Sequence, residues 1–256
     1  MPQQPVVYEY SAGIARIRLN RPEKLNSLSA PMVAQLVELL EQLHHDPQVR
    51  CVVLEAAGRA FCAGQDLSER RAIVDGATMD LGEKLDGGLN RVVRVLSDLP
   101  QPVVCAVQGV AAGAGASLAF ACDIVIAANS ASFVQSFAKL GLVPDAGASW
   151  ALPRLAGRAR AAGLVLLAEP LPAQQAADWG MIWNCVDDDV LADHVTEVAT
   201  TLATRSATGL ALCKVALQAS YGNSLDAQLN LERDLQREAG FTEFYRHSIR
   251  AFFAPR

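Results

Sequence analysis

Apolar and basic residues alternate at positions 14–19. Ala15, Ile17 and Leu19 fall on one face and Arg16 and Arg18 on the other, the two-residue period of a half-exposed strand. Arg21-Pro22 ends it, and a loop over 23–28 leads to a different period. Met32, Leu36, Leu39, Leu40 and Leu43 recur at helical spacing, predicting a helix over 31–44 with Pro31 near its first position, where a missing N–H costs nothing. Uninterrupted apolar runs at 51–54, 103–107 and 124–127 read as buried strands. Between the first two, residues 68–79 are weakly patterned and a helix is predicted over 80–98, through Gly82, Gly87 and Gly88. Strands separated by helices imply parallel pairing through crossovers. After Pro144 helical patterns dominate, at 146–155, 158–168, 173–179, 189–204, 207–219, 225–239 and 243–253. The expected architecture is an α/β half followed by a helical half.

Composition narrows the class. With 256 residues, 51% apolar and 19% charged, the chain has a globular balance, and its 43 alanines favour close helix packing. At this size roughly three-quarters of the unfolded surface is buried on folding, so no disulfide or metal staple is required. A net charge of -5 argues against a nucleic-acid partner. The six cysteines (51, 62, 105, 122, 185 and 213) have no CxxC spacing, which suggests reduced thiols in a cytoplasmic protein and no metal site. Positions 102–122 are uncharged but contain Pro102, Gln108, Gly109, Gly113, Gly115 and Ser117, and resolve into strand, turn and helix rather than a membrane span. Positions 1–10 show no basic segment leading into an apolar one, so no signal peptide is expected.

Three loops offer chemistry. In the first, 59–67, small residues after a strand let a ligand approach the backbone, although a plain strand-to-helix turn explains them equally well. The second, 109–117, leads into a helix whose first N–H groups would be free. It half-matches two motifs. Gly113-x-Gly115 lacks the third glycine of a dinucleotide fingerprint. Gly115-Ala116-Ser117-Leu118-Ala119 lacks the last glycine of a nucleophile elbow, and His194 and His247, its possible triad partners, sit in charged helical stretches. In the third, 140–147, Asp145 is either a helix N-cap, ionised with a lowered pKa, or an acid/base in an apolar pocket made by Phe137, Leu140, Leu142 and Val143, with its pKa raised.

Taken together, these loops resemble the crotonase, or enoyl-CoA hydratase/isomerase, superfamily. Arg21-Pro22-Glu23-Lys24-Leu25-Asn26-Ser27-Leu28 is similar to its acyl-CoA-contacting loop, and 61–67 and 108–123 to its two oxyanion-hole segments, in the right order over positions 5–256. The resemblance implies a crotonase-like spiral of βαβ units over 1–200, with a helical C-terminal region over 201–256 for trimerisation and covering of CoA. It further implies an acyl-CoA substrate, a homotrimer or hexamer, and no cofactor, coenzyme A being part of the substrate. The backbone N–H groups of Gln65 and Ala114 would form the oxyanion hole. Lys24, Ala63, Asp66, Leu67, Gly113 and Phe137 would bind substrate.

The departures from the family's hydratases sharpen this. The two glutamates that activate water in a hydratase are replaced by Ser117 and Phe137, and Asp145 stands where the hydratase has glycine. A single carboxylate beside an oxyanion hole suits proton transfer within one substrate, with Asp145 as acid/base. Residues 133–145, 153–160, 179–183 and 229–234 resemble an isomerase subgroup that acts on the ring epoxide of phenylacetyl-CoA and shifts 3,4 double bonds of acyl-CoAs to 2,3. Three alternatives stay open: another crotonase chemistry (hydration, or a dehalogenation that would want a histidine near 80–95), a serine hydrolase using Ser117, and a non-catalytic acyl-CoA-binding scaffold.

Overall fold

The structure, a computed structural model, describes residues 4–254. The first three positions of the stretch read for a leader, and Pro255 and Arg256 at the end of the expected helical region, lie outside the described residues. Along the chain come β1 (Val6–Ser11), β2 (Ile14–Leu19), α1 (Ala30–His44), β3 (Cys51–Ala56), α2 (Arg71–Val74), α3 (Leu81–Asp86), α4 (Leu89–Asp98), β4 (Val103–Val107), β5 (Val110–Ala112) and α5 (Ala114–Phe120). They are followed by β6 (Ile124–Ala128), β7 (Ser132–Val134), α6 (Ala148–Leu167), β8 (Leu171–Pro172), α7 (Ala173–Asp178), β9 (Asn184–Val186), α8 (Leu191–Thr204), α9 (Ala207–Ala219), α10 (Leu225–Gly240) and α11 (Glu243–Phe252).

The main sheet has the order β1-β2-β3-β4-β6-β9, parallel from β2 onward. β1 is an addition to the expected strands. It carries exposed Tyr8 and Tyr10 and lacks a clean alternation, but the left-handed pair Ala12-Gly13 turns it back onto β2 as an antiparallel edge. Three short strands, β5, β7 and β8, form a second sheet that the sequence pattern also left hidden. They are two or three residues long, too short to show a period.

The expected helix over 80–98 is two helices. The backbone of Gly88, at φ -120° and ψ -104°, separates α3 from α4. The helices expected over 146–155 and 158–168 run together as α6, which starts at Ala148 and breaks at Gly157, where φ is 76° and ψ is 161°. α8 packs across β2, β3, β4 and β6 and spans position 200, so the division expected there falls inside a helix seated on the sheet. The uncharged stretch 102–122 is β4, β5 and α5, and among the described residues no helix is long and apolar enough to cross a membrane.

One buried cation ties the last helices to this core. Lys214 of α9 is 8% exposed, and its Nζ donates to Asp123 Oδ2 at 2.7 Å and to the Gln101 carbonyl at 3.1 Å. The same Asp123 oxygen accepts from the Val103 amide at 2.7 Å, at the start of β4, and Gln101 Nε2 reaches the Leu43 carbonyl at the end of α1. Removing Lys214 strands an acceptor and a carboxylate. Lys214→Met is therefore expected to cost about 1–3 kcal/mol, the penalty of leaving buried partners unpaired. This is checked by the denaturant midpoint, and an unchanged midpoint would show that α9 is held by its apolar contacts alone.

Candidate active site

Three loops meet beside the ends of β3 and β5. The first is pinned by Asn26, fully buried and left-handed at φ 54°. Its Oδ1 accepts from the Arg21 amide at 2.8 Å, while Nδ2 donates to the carbonyls of Ala57 and Ala60, each at 2.8 Å. The segment after β3 then runs between this loop and β5. Ala63 N donates to Leu25 O at 2.9 Å and Leu28 N to Gly64 O at 2.8 Å; on the other side Cys62 N donates to Val110 O at 3.1 Å and Ala112 N to Cys62 O at 2.8 Å.

The approach of α5 to this segment is close. A Cβ on Gly115 would lie 2.4 Å from the Cys62 carbonyl oxygen and 2.7 Å from Cys62 Sγ, so only glycine fits. Gly64 has φ +95°, and a Cβ there would meet Ala112 O at 2.9 Å and Ala114 N at 3.7 Å. Residue 64 and the first residue of α5 are therefore neighbours. Among the described residues the amides of Gln65 and Ala114 have no hydrogen-bond acceptor. Two backbone donors left over in one cleft are the arrangement that holds an oxygen gaining charge.

The third loop supplies Asp145. Its side chain does not cap α6: the N-cap is Gly147, with no side-chain cap bond. Ala146 and Gly147 are both left-handed, at φ 49° and 80°, and carry the chain from Asp145 into the helix while the carboxylate turns toward Gln65. Gln65 Nε2 donates to Asp145 Oδ2 at 3.1 Å, and Gln65 Oε1 accepts from the Arg70 guanidinium. Asp145 Oδ1 is buried and has no partner among the described residues. Burial pushes the carboxyl up to about 6, against the pull of the Arg70 charge.

These groups line a cleft of about 80 Å³ that contains Asp145, Gln65, Ala114, Ala63, Leu67, Gly113 and Phe137. Arg70, Leu140 and Leu142 are also in its wall, whereas Val143, expected there, does not line it and is 79% exposed. A second cavity of about 350 Å³, against α1, α3 and α4, shares Gln65 and Arg70 with the cleft. Asp66 lines that cavity instead. The Ser68 hydroxyl and amide and the Arg21 guanidinium, at 2.9 Å, hold its carboxyl below the usual range, so it shapes the loop and offers no free oxygen to a substrate. Lys24 is exposed at the end of the turn Pro22–Lys24, outside the cleft wall but on the loop whose Leu25 receives Ala63.

Ser117, weighed as a nucleophile, is 1% exposed. Its hydroxyl donates back to the Gly113 carbonyl at 3.1 Å, and it does not line the cleft. His194 of α8 faces Asn184 of β9 and Glu197 on its own helix. The serine-hydrolase reading is thereby overturned. Arg70 is the site residue that the sequence did not reveal: it lies in the weakly patterned stretch, and one arginine five positions after Gln65 is no signal. Among the described residues no three His, Cys, Asp or Glu side chains group as metal ligands.

Comparison with known proteins places this geometry in context. The profile of the enoyl-CoA hydratase/isomerase family matches residues 9–256. The chain is 54% identical, over 95% of its own length and 93% of the relative's, to the 1,2-epoxyphenylacetyl-CoA isomerase of Escherichia coli (strain K12). It is 30% identical, over 98% of its length and 95% of the relative's, to the trans-2-decenoyl-[acyl-carrier-protein] isomerase of Streptococcus mutans serotype c. The crystal structure of an enoyl-CoA hydratase from Polaromonas sp. JS666 superposes with a TM-score of 0.91 at 32% identity, covering 96% of each chain.

The raised Asp145 carboxyl has a consequence for stability. It titrates near 6 in the folded protein and at about 3.9 when unfolded, so between those values the native state holds the extra proton. Stability contributed by the protonated form is present below the lower value and is lost as pH rises through the upper one. Asp145→Asn, neutral throughout, is expected to raise Tm at about pH 8, by roughly 2–4 °C per kcal/mol recovered. The gain should be smaller at about pH 5. A Tm lowered equally at both values would show that the carboxylate's contacts stabilise the fold.

Proposed function

Because the chain belongs to the enoyl-CoA hydratase/isomerase family, we propose that it is an isomerase of CoA thioesters that moves one proton within its substrate, with Asp145 as the single acid/base. The observation that carries this reading is the buried, unpartnered Asp145 Oδ1 in the same cleft as the two unpartnered amides of Gln65 and Ala114. The thioester oxygen rests on those N–H groups. Asp145 takes a proton from carbon 2, the electron pair spreads into a dienolate whose negative charge collects on that oxygen, and the protonated acid returns the proton at carbon 4. A 3,4-enoyl thioester thus becomes a 2,3-enoyl thioester with no net gain or loss of atoms. The neutral-range pKa of Asp145 suits both halves of the cycle.

Hydration is disfavoured by what surrounds the carboxylate. Phe137 lines the cleft and Ser117 is buried away from it, so Asp145 is the one carboxylate in the wall among the described residues. The likeness to the Escherichia coli enzyme supports 1,2-epoxyphenylacetyl-CoA as a substrate, and the oxyanion hole would polarise its thioester in the same way. The step needs no cofactor, since coenzyme A enters and leaves with the acyl group, and exposed Lys24, on the loop that receives Ala63, is our candidate contact for its phosphates. Leu225, Leu229, Phe244, Phe252 and Phe253 lie exposed on or just beyond α10 and α11. That apolar surface supports assembly as a trimer or a pair of trimers, and the free thiols support a cytoplasmic setting.

A 3,4-enoyl-CoA such as a didehydroadipyl-CoA, incubated in deuterated water, tests the proposal. The wild type is expected to form the 2,3-enoyl product with the carbon-2 proton carried to carbon 4, deuterium entering carbons 2 and 4 only as far as the Asp145 acid exchanges with solvent before returning it. Asp145→Asn is expected to lose about 10²–10⁴-fold in rate, the worth of a positioned acid/base. Equal rates in both proteins would remove Asp145 from the chemistry. Tight acyl-CoA binding without turnover or label in the wild type would identify a scaffold instead.

A further inference from the structure

Gln65 contributes its backbone to the proposed oxyanion hole, yet its side chain is tied up separately, in a chain of three polar groups. Arg70 is a donor with no acceptor, so the Gln65 amide must present Oε1 to it. That fixes the amide's orientation and turns Nε2 toward Asp145 Oδ2, at 3.1 Å. One carboxylate oxygen is occupied and the other is buried and open.

We infer that Arg70, acting through the side-chain amide of Gln65, is a positioning residue that holds Asp145 as a carboxylate with Oδ2 engaged and Oδ1 free to exchange the substrate proton. The inference rests on the isomerase reading above for its purpose, and on the Arg70–Gln65–Asp145 contacts for its substance. Of the other charges near the site, Glu83 and Lys84 of α3 line the adjoining cavity but not the cleft, and most of the rest are committed elsewhere. Asp66 is bound to Arg21 and Ser68, and Glu69 accepts from the Ala30 amide. Arg91 and Arg94 of α4 pair with Glu41 and Asp86, and Lys139, in the turn Ser136–Leu140, is exposed and off the cleft wall. Among the described residues Arg70 is thus the cation that lines the cleft with Asp145. Because Gln65 and Arg70 also wall the adjoining cavity, an acyl group entering it touches the same pair that sets the base.

The test is a direct titration of the Asp145 carboxyl by carbon-13 NMR of aspartate-labelled protein, the resonance being assigned by its loss in Asp145→Asn. Arg70→Met, Arg70→Lys and Gln65→Leu all keep the residue-65 N–H. Arg70→Met and Gln65→Leu are each expected to raise the midpoint by about half a unit or more, because each weakens support of the charged form. The double variant should move it little further than the larger single shift, as for two links of one chain. Arg70→Lys should bring it back toward the wild-type value. In turnover, the acid limb of the pH–rate profile should move with the midpoint, and kcat on that limb should fall about threefold or more, the same half-unit shift in energy terms, while KM changes less than twofold. An unmoved midpoint in Gln65→Leu, or additive shifts in the double variant, would overturn the relay. This readout needs no catalysis, so an active Asp145→Asn would refute the isomerase mechanism without deciding the titration.

Discussion

The contact of Gly115 with Cys62 governs everything built around it. Two loops arriving from different parallel strands must bring backbone amides within reach of one oxygen atom, and side chains at the crossing would hold them apart. The structure meets this constraint by stripping the crossing of bulk. Glycine stands at 64, 113 and 115 and alanine at 63, 112 and 114, while Cys62 is knitted to Val110 and Ala112 by two backbone bonds. Donors supplied by the main chain are preorganised by the fold itself, and their identity does not depend on any side chain. The buried Asn26 amide performs the matching task on the outer side, since it fixes the loop against which residues 63–66 are hung.

Asp145 shows the opposite balance, between two effects that compete. Leu142, Phe137 and the surrounding backbone withdraw water and lift its pKa, while Arg70 pulls it down. The outcome near neutrality is what a group needs if it must both take and give a proton in one turnover. Such a group weakens the fold that carries it, because a desolvated carboxylate would be better off in water. The proposed acid/base therefore sits on strained ground: left-handed Ala146 and Gly147 displace the carboxylate from the capping position where an aspartate before a helix would ordinarily be satisfied.

Much of this was legible in the chain. The helices α1 and α8 to α11 announce themselves by helical period and β3, β4 and β6 by uninterrupted apolar runs, and the order of the glycine- and alanine-rich loops identifies the family. The segments that escaped are those whose structure is decided by partners distant in sequence. β1 is a strand because β2 offers an edge, and β5, β7 and β8 are too short to carry a period. Residues 80–98 divide because of backbone geometry at Gly88, which helical periodicity does not register. At the site, backbone donors and the aspartate could be placed by motif. The Arg70–Gln65 link could not, since it joins a loop to the short helical turn Leu67–Arg70 through side chains alone. Asp66 carries the reverse lesson: a polar residue beside a functional loop is engaged in holding that loop.

In the proposed reaction two amides converge on the thioester oxygen, with Asp145 acting separately on carbon. Difference infrared spectroscopy of a bound, non-isomerisable acyl-CoA carrying a carbon-13 label at the thioester carbonyl addresses it most directly. The carbonyl stretch is expected to fall to lower frequency on binding than in water, and to fall as far in Asp145→Asn as in the wild type. A frequency unchanged from water, or a shift that disappears with the carboxylate, would contradict it.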